Sequence, residues 1–542
     1  MLGGMQEWPL LVWKFIDHAA LNHGTREIVS LSCEGTEHRS NWAEVRDRSL
    51  KVAQMLNKLG MKQGDRAATL AWNTHRHIEC WYGISGMGAV AHTVNPRLFE
   101  DQIVYIINHA ADRVLFADIS FIDMIERIAP RLQSVEHIVL MTDAAHMPKS
   151  GSVDFLCYED LIAEQDGDYR WARVDEQTPS GLCYTSGTTG NPKGVLYTHR
   201  SNVLHTLGGL GKDGMGFGSE DVVLPVVPMY HANAWGLPYS CAAVGAKMVM
   251  GGPNFDAPTL HKLMIKEGCT FTAAVPTVWL GMLQHLEAET ADLGKLERVV
   301  IGGSAVPRSM IKEFKVKYDV DVIHAWGMTE MSPLGTLGSL SAEAAELPLE
   351  EQFDIKTKQG RAVFGVELKI TDDDGNDLPR DGEAFGHLMV RGPWCVGEYY
   401  GGDGGHVLDA EGWFDTGDVA TIDPHGYMQI TDRAKDVIKS GGEWISSIEL
   451  ENEAVGAEGV AEAAVIGLPH PKWDERPLLV IVAKAGASPT KESVLAHLEG
   501  RIAKWWTPDD VQFVEEIPHT ATGKIQKTAL RDQFADYSFP GV

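Results

Sequence analysis

A chain of 542 residues with 75 Asp and Glu against 47 Lys and Arg carries a formal charge of −28. That charge argues against a nucleic-acid partner, because phosphate backbones are held by basic faces, and the length predicts about three or four domain-sized units with room for a buried site. Seven scattered cysteines without a C-x-x-C pair predict buried thiols in a reducing cytosol, and neither MLGGMQEWPLL nor the Lys247-interrupted run at 236–252 reads as a secretory leader or membrane span.

The first 180 residues alternate helical and strand patterns. Val45, Val52, Met55, Leu56 and Leu59 recur at helical spacing until Gly60, and the apolar run 67–72 follows as a buried strand. Further strands are expected at 114–117 and 137–141, so the pattern predicts an α/β fold with a parallel wound sheet. His75 and His77 have no companions at zinc spacing and read as surface or core histidines.

The stretch 184–198, YTSGTTGNPKGVLYT, sets Thr185, Ser186, Thr188, Thr189 and Lys193 among three glycines, one of them Gly187, between β-rich flanks. Glycines let the backbone approach an anion while N–H, O–H and ammonium donors surround it, which is the make-up of a triphosphate cradle. It is not the GxxxxGK[ST] loop, because Pro192 precedes the lysine and Gly194 follows it.

Three apolar strands then end in chemically informative residues. The strand at 222–227 runs into a segment carrying His231, Asn233 and Trp235; another at 299–301 ends in Gly302-Gly303-Ser304; a third at 322–324 ends in Ala325-Trp326-Gly327-Met328-Thr329-Glu330. Open α/β sheets bind ligands beyond their strand ends. A purine suits the space between Trp326 and the Gly302-Gly303-Ser304 backbone, with Thr329 toward phosphate and Glu330 on Mg²⁺. Residues 360–428 change to short alternating strands, predicting a small β-barrel or sandwich with a hairpin tip at 372–376 and a turn at 401–405. Asp415 reads as an Asx turn, whereas Asp418 can accept both hydroxyls of a ribose. The charged run from Asp432 through Arg433 to Lys439 reads as a hinge, followed by strands at 463–467 and 478–483 and a helix over 491–505.

Read together, YTSGTTGNPKG, the three strand ends, WFDTGD, DRAKDVIKSGGEW and TGKIQK resemble, in order and over nearly the whole chain, the AMP-forming acyl-CoA synthetases of the adenylate-forming superfamily. Tyrosine is usual in that family where Trp326 stands, and stacking needs only a π face. The resemblance implies a large N-terminal domain, 1–431, of wound α/β sheets to about 355 and a β-barrel subdomain at about 356–431. It also implies a hinge at 432–437 pivoting on Lys435 and a small mobile α+β domain at 438–542.

ATP, Mg²⁺ and coenzyme A are the implied cofactors. Lys524 is implied to be the adenylating lysine, Lys439 to act from the opposite face, and Gly441, Gly442, Glu443 and Trp444 to meet coenzyme A. Thr188 and Glu330 are implied to hold the metal, Asp418 and Arg433 the nucleotide, and His231, Trp235, Gly302 and Gly327 the acyl group. The pattern is most similar to bacterial fatty acid ligases and relatives taking 3-methylmercaptopropionate, and it implies a cytoplasmic homodimer. A luciferase-like oxidase and a long-chain fatty acid ligase use the same motifs. A peptide-synthetase adenylation domain would be followed by a carrier module, whereas the sequence reaches Val542 shortly after Lys527, and a non-catalytic nucleotide sensor would not need the full set of charged groups.

Overall fold

The computed structural model describes residues 3–149, 151–185, 191–434, 436–440, 443–519 and 525–540, with only the backbone described at 443 and 444. Asn41 starts the helix Trp42–Lys58 by accepting the Glu44 amide on its side chain at 3.0 Å. Val45, Val52, Met55 and Leu56 bury one stripe of it, and Gly60, at a φ of +87°, turns the chain toward the strand Arg66–Leu70. That strand lies within a seven-stranded sheet ordered Phe155–Cys157, His137–Leu140, Val114–Ala117, Arg66–Leu70, Val90–Thr93, Pro179–Tyr184 and Gly194–Thr198. All neighbours are parallel except the final hairpin.

A second, nine-stranded sheet has at its centre the parallel strands Asp321–Gly327, Arg298–Gly302, Phe271–Ala274, Val222–Pro225 and Lys247–Met250. Its far edge is built from the start of the chain: Glu27–Leu31 pairs in parallel with Lys247–Met250, Ile28 opposite Met248, and Glu37–Asn41 completes a hairpin there. The helix His75–Gly86 touches strands of both sheets and is buried along its whole length. His75 and His77 are therefore core residues. His77 sits with Nε2 2.9 Å from the Thr69 hydroxyl and Nδ1 2.9 Å from the Trp72 carbonyl, and burial lowers its pKa to about 4, so it is neutral.

The expected barrel is instead an open antiparallel sheet of four strands, Glu367–Thr371, Phe385–Arg391, Phe414–Ile422 and Met428–Arg433. Its apolar face, with Leu368, Ile370, Leu388, Val390 and Met428, joins the main hydrophobic core. A sheet that covers its apolar face in this way has no need to close on itself. The Asp372 turn is the expected tip, its carboxylate accepting from the Asp374 and Asn376 amides at 3.0 and 2.8 Å.

From Ile438 the chain builds a fourth sheet, in which Val460–His470 and Asp474–Ala483 form a long hairpin and Asp510–Phe513 adds in parallel. Separate apolar clusters occupy this region, one including Leu450, Leu479 and Val494, the other Ile466, Leu478 and Leu530. The helix expected over 491–505 stops at Leu498, where Gly500 has a φ of +75°, and a 3₁₀ turn at Lys504–Trp506 follows. Among the described residues no helix is long and apolar enough to cross a membrane.

Candidate functional site

The ends of three strands of the second sheet and the hairpin of the first face a cleft of about 1170 Å³. At the hairpin root Thr185 donates its amide to the Lys193 carbonyl at 2.9 Å, and its hydroxyl accepts the Lys193 amide at 3.1 Å. Ser186, Gly187, Thr188 and Thr189 lie outside the described residues. The Lys193 ammonium sits 4.9 Å from the centre of the Tyr399 ring, whose hydroxyl donates to Glu330 Oε1 at 2.7 Å. Burial, reinforced by the Glu330 carboxylate, pushes the Tyr399 phenol well above its ordinary pKa, so it remains a donor.

At the nucleotide side Asp418 is buried between two donors. Its Oδ1 lies 2.9 Å from Arg433 Nε, and its Oδ2 accepts the Trp326 indole N–H at 3.1 Å. Asp418 and Arg433 are register partners on adjacent strands, which places the two side chains on one face. Tyr197 donates to the Thr329 carbonyl at 2.7 Å and fixes the turn before Glu330. Trp326 does not stand as a bare plate: its six-membered ring packs on Gly335, where an added Cβ would come within 2.4 Å of it. Gly327 serves close backbone packing, since a Cβ there would lie 2.0 Å from the Pro333 carbonyl oxygen.

The part of the cleft next to Trp235 is shaped by an unusual backbone. Ala232, Asn233, Ala234 and Trp235 all have left-handed φ between 41° and 56°, followed by Gly236 at 77°. Each non-glycine residue in that region costs roughly 1–2 kcal/mol, so the turn persists because its surroundings hold it. Asn73 grips the strand end before it, donating to the Pro225 and Val227 carbonyls at 2.9 Å and accepting the Met229 amide at 2.7 Å. Asn233 is buried and accepts from the Cys183 thiol at 3.5 Å. The turn carries the Trp235 indole over Gly302, where a Cβ would meet its Cη2 at 3.3 Å. The backbone face expected to lie against a purine is therefore covered at Gly302 and left to Gly303 and Ser304. His231, Trp235, Met215, Leu334, Val275 and Leu280 line this part of the cleft.

The fourth sheet closes the cleft from the other side through Glu462, His519 and Ile525. Lys524 lies outside the described residues, as do Lys435, Gly441 and Gly442, while Glu443 and Trp444 are described only as backbone in the strand Glu443–Ile445. Lys439 is exposed on the strand Ile438–Ser440, gives its amide to Glu475 at 2.9 Å, and is not among the cleft-lining residues.

Residues 16–400 match the family model for AMP-binding enzymes, and 449–524 match the AMP-binding enzyme C-terminal domain. The chain belongs to the AMP-binding enzyme family. It is 53% identical over 538 residues to the 3-methylmercaptopropionyl-CoA ligase of Ruegeria lacuscaerulensis, covering 99% of each chain. It is 48% identical to the medium-chain-fatty-acid–CoA ligase of Ectopseudomonas oleovorans over 99% of this chain and 98% of the other. The solved structure of ATP-bound MatB from Rhodopseudomonas palustris superposes with a TM-score of 0.82 at 26% identity, covering 98% and 99%. Within the family the chain is an AMP-forming acyl-CoA synthetase.

For a member of this family the sequence reading passed over three groups. Tyr399, which links Lys193 to Glu330, stands in GEYYGGDGG, where the glycines drew attention only as a turn. Lys527, three residues beyond Lys524, is buried against Glu451 at 2.8 Å and also donates to the Ser447 hydroxyl. Asp432, which lines the cleft together with Glu451 and Lys527, accepts the Ser447 amide and hydroxyl at 2.8 and 2.5 Å. Among the described residues no three potential metal ligands cluster. Glu330 fits a cation that arrives with its own phosphate ligands, being a single carboxylate at the cleft with one oxygen held by Tyr399.

Proposed function

We propose that this synthetase activates a short or medium-chain acid, with a thioether acid such as 3-methylmercaptopropionate as its substrate. The reaction is R–COO⁻ + ATP → R–CO–AMP + PPi, then R–CO–AMP + CoA–SH → R–CO–S–CoA + AMP. The observation that carries the reading is the Trp235 indole lying over Gly302, which ends the acyl space close to the strand end. A polarizable sulfur packs well on that ring, at a gain of roughly 0.3–1.5 kcal/mol. The 53% identity to a 3-methylmercaptopropionyl-CoA ligase supports the same acid.

In this reading Thr185, Ser186, Gly187, Thr188, Thr189 and Lys193 hold the β- and γ-phosphates. Ala325, Trp326 and Met328 flank the adenine, Thr329 meets phosphate, and Asp418, steadied by Arg433, takes the ribose hydroxyls. Glu330, with Thr188, holds Mg²⁺, which when bound neutralises charge on the leaving pyrophosphate. Lys524 offsets the repulsion between the acid and the α-phosphate. The unit 438–542 then turns about Lys435 to bring Lys439, Gly441, Gly442, Glu443 and Trp444 to the site, admitting the thiol of coenzyme A. No protein nucleophile is needed, because the acyl-adenylate is already activated. A cytoplasmic homodimer belongs to the same reading by family likeness, and light scattering tests the dimer.

The experiment is pyrophosphate release over a panel of carboxylic acids, with Lys524→Ala beside the unmodified protein. The substitution should lower acid-dependent pyrophosphate release by several orders of magnitude and leave conversion of supplied acyl-AMP and coenzyme A nearly intact. Equal loss in both half-reactions would remove Lys524 from its role. A preference for acids of about twelve carbons or more, whose tails gain roughly 0.8 kcal/mol per methylene in an open tunnel, would make the chain a long-chain ligase instead.

A further inference from the structure

Behind the hairpin that carries Lys193 lies a cluster of rings that the reaction as described does not use. His109, in the last turn of the helix Glu100–Ala110, has Nδ1 2.7 Å from the Tyr184 hydroxyl and Nε2 3.7 Å from Asp403 Oδ2. Tyr184 is the residue before Thr185, and burial, with Asp112 next in effect, keeps its phenol protonated. A protonated phenol can donate or accept, so the Tyr184–Nδ1 link stands in either tautomer of the imidazole, whose Nε2 faces Asp403. Tyr105 stacks on the imidazole with centroids 5.3 Å apart and planes 11° apart. Tyr400 meets the other side edge-on at 5.4 Å.

The same turn, 399–404, also reaches the phosphate-facing groups. Tyr399 bridges Lys193 and Glu330, and Gly404 passes so close to Lys193 that a Cβ would lie 3.0 Å from its ammonium. At Gly401 a Cβ would lie 3.2 Å from His109 Nε2, and at Gly194 it would lie 3.0 Å from Tyr400 Cβ and 3.2 Å from the Tyr184 ring. Glycines at these points let the helix end, the hairpin root and the turn converge on one imidazole.

We infer that His109 is a positioning residue for the triphosphate site: through Tyr184 on one side and Asp403 on the other it fixes the hairpin root and the 399–404 turn that present Lys193 to the β- and γ-phosphates. The inference rests on the role proposed above for Lys193, that of holding the β- and γ-phosphates. It requires an effect on ATP that AMP, which lacks those phosphates, does not share.

The test is calorimetric binding of ATP and of AMP to the full chain carrying His109→Phe, Tyr184→Phe or both, beside each half-reaction. His109→Phe keeps the stacked ring and removes both nitrogens; Tyr184→Phe removes one hydroxyl and keeps the fold. Each should weaken ATP roughly five- to tenfold, as loss of one hydrogen bond of ordinary net strength predicts, and leave AMP binding and thioester formation from supplied acyl-AMP unchanged. The double variant should be no weaker than His109→Phe alone, because that substitution already breaks the link to Tyr184. ATP affinity unchanged in Tyr184→Phe, equal losses for ATP and AMP, or additive single effects would each overturn the inference. Normal ATP selectivity with no acid-dependent pyrophosphate release in the unmodified protein would overturn the proposed reaction while leaving His109 its role.

Discussion

In the reading proposed above, Trp235 limits chain length because its ring lies over Gly302, in the space into which an alkyl tail would otherwise extend. An open tunnel would add up to about 0.8 kcal/mol per methylene, a gradual rise of roughly fourfold per carbon. A wall gives an optimum among short acids and a steep fall beyond it, since overpacking a rigid site costs about 1–3 kcal/mol. Trp235→Ala should therefore shift the optimum of kcat/KM to longer acids, and an unchanged chain-length profile would show that the wall lies elsewhere. The strained turn adds a condition. Trp235 is held by left-handed residues that Asn73 and Asn233 secure, so its rotamer is tied to the backbone rather than free to swing.

At the scale of elements, the helices Ser447–Val455 and Lys527–Gln533 meet the strand Met428–Arg433 through a buried ionic group. One ammonium, Lys527, lies among the carboxylates Asp432 and Glu451, with Asp436 paired to Arg531 at 2.7 Å nearby. One cation cannot fully neutralise two buried carboxylates. Burial accordingly raises Glu451 to about 6 against its ordinary 4.5, with Lys527 opposing and Asp432 adding to the rise. A carboxyl raised by folding contributes stability that is fully present below its ordinary pKa and is lost as pH rises through the folded one. The melting temperature should thus fall as pH rises from about 4.5 to about 6 on account of this group. Glu451→Gln, which mimics the protonated form, should flatten that part of the profile. Lys527→Met strands two buried carboxylates and should cost about 3–5 kcal/mol in denaturant unfolding of this region. A small loss there would mean that water reaches the group.

At the scale of the molecule, His519 and Ile525, the described residues on either side of 520–524, line the cleft, while no residue of the strand Ile438–Ser440 does. In the proposed reading this arrangement suits adenylation, and thioester formation requires the other face. Lys435→Pro fixes one backbone dihedral at the proposed pivot. It should leave acid-dependent pyrophosphate release within a few-fold of normal and lower thioester formation by more than about tenfold, the loss expected when a required closure is blocked. Both half-reactions intact would put the pivot elsewhere in 432–437.

Local rules were enough for much of this protein. Helical spacing and a glycine stop announced Trp42–Lys58, apolar runs announced the parallel strands, and Trp326, Thr329, Glu330 and Asp418, which line one cleft, were legible as candidates, because each signal depends on neighbours in sequence. What depended on partners distant in sequence was decided only by the tertiary structure. Glu27–Leu31 lies in the first region of the chain yet pairs with Lys247–Met250, a choice that periodicity does not encode. The four-stranded sheet stayed open because the main core covers its apolar face, which no alternation pattern within 360–428 could announce. Tyr399, His109 and Lys527 carry no local signal of a role. Their roles come from Glu330, Tyr184 and Glu451, which lie 69, 75 and 76 residues away along the chain and 2.7–2.8 Å away in space.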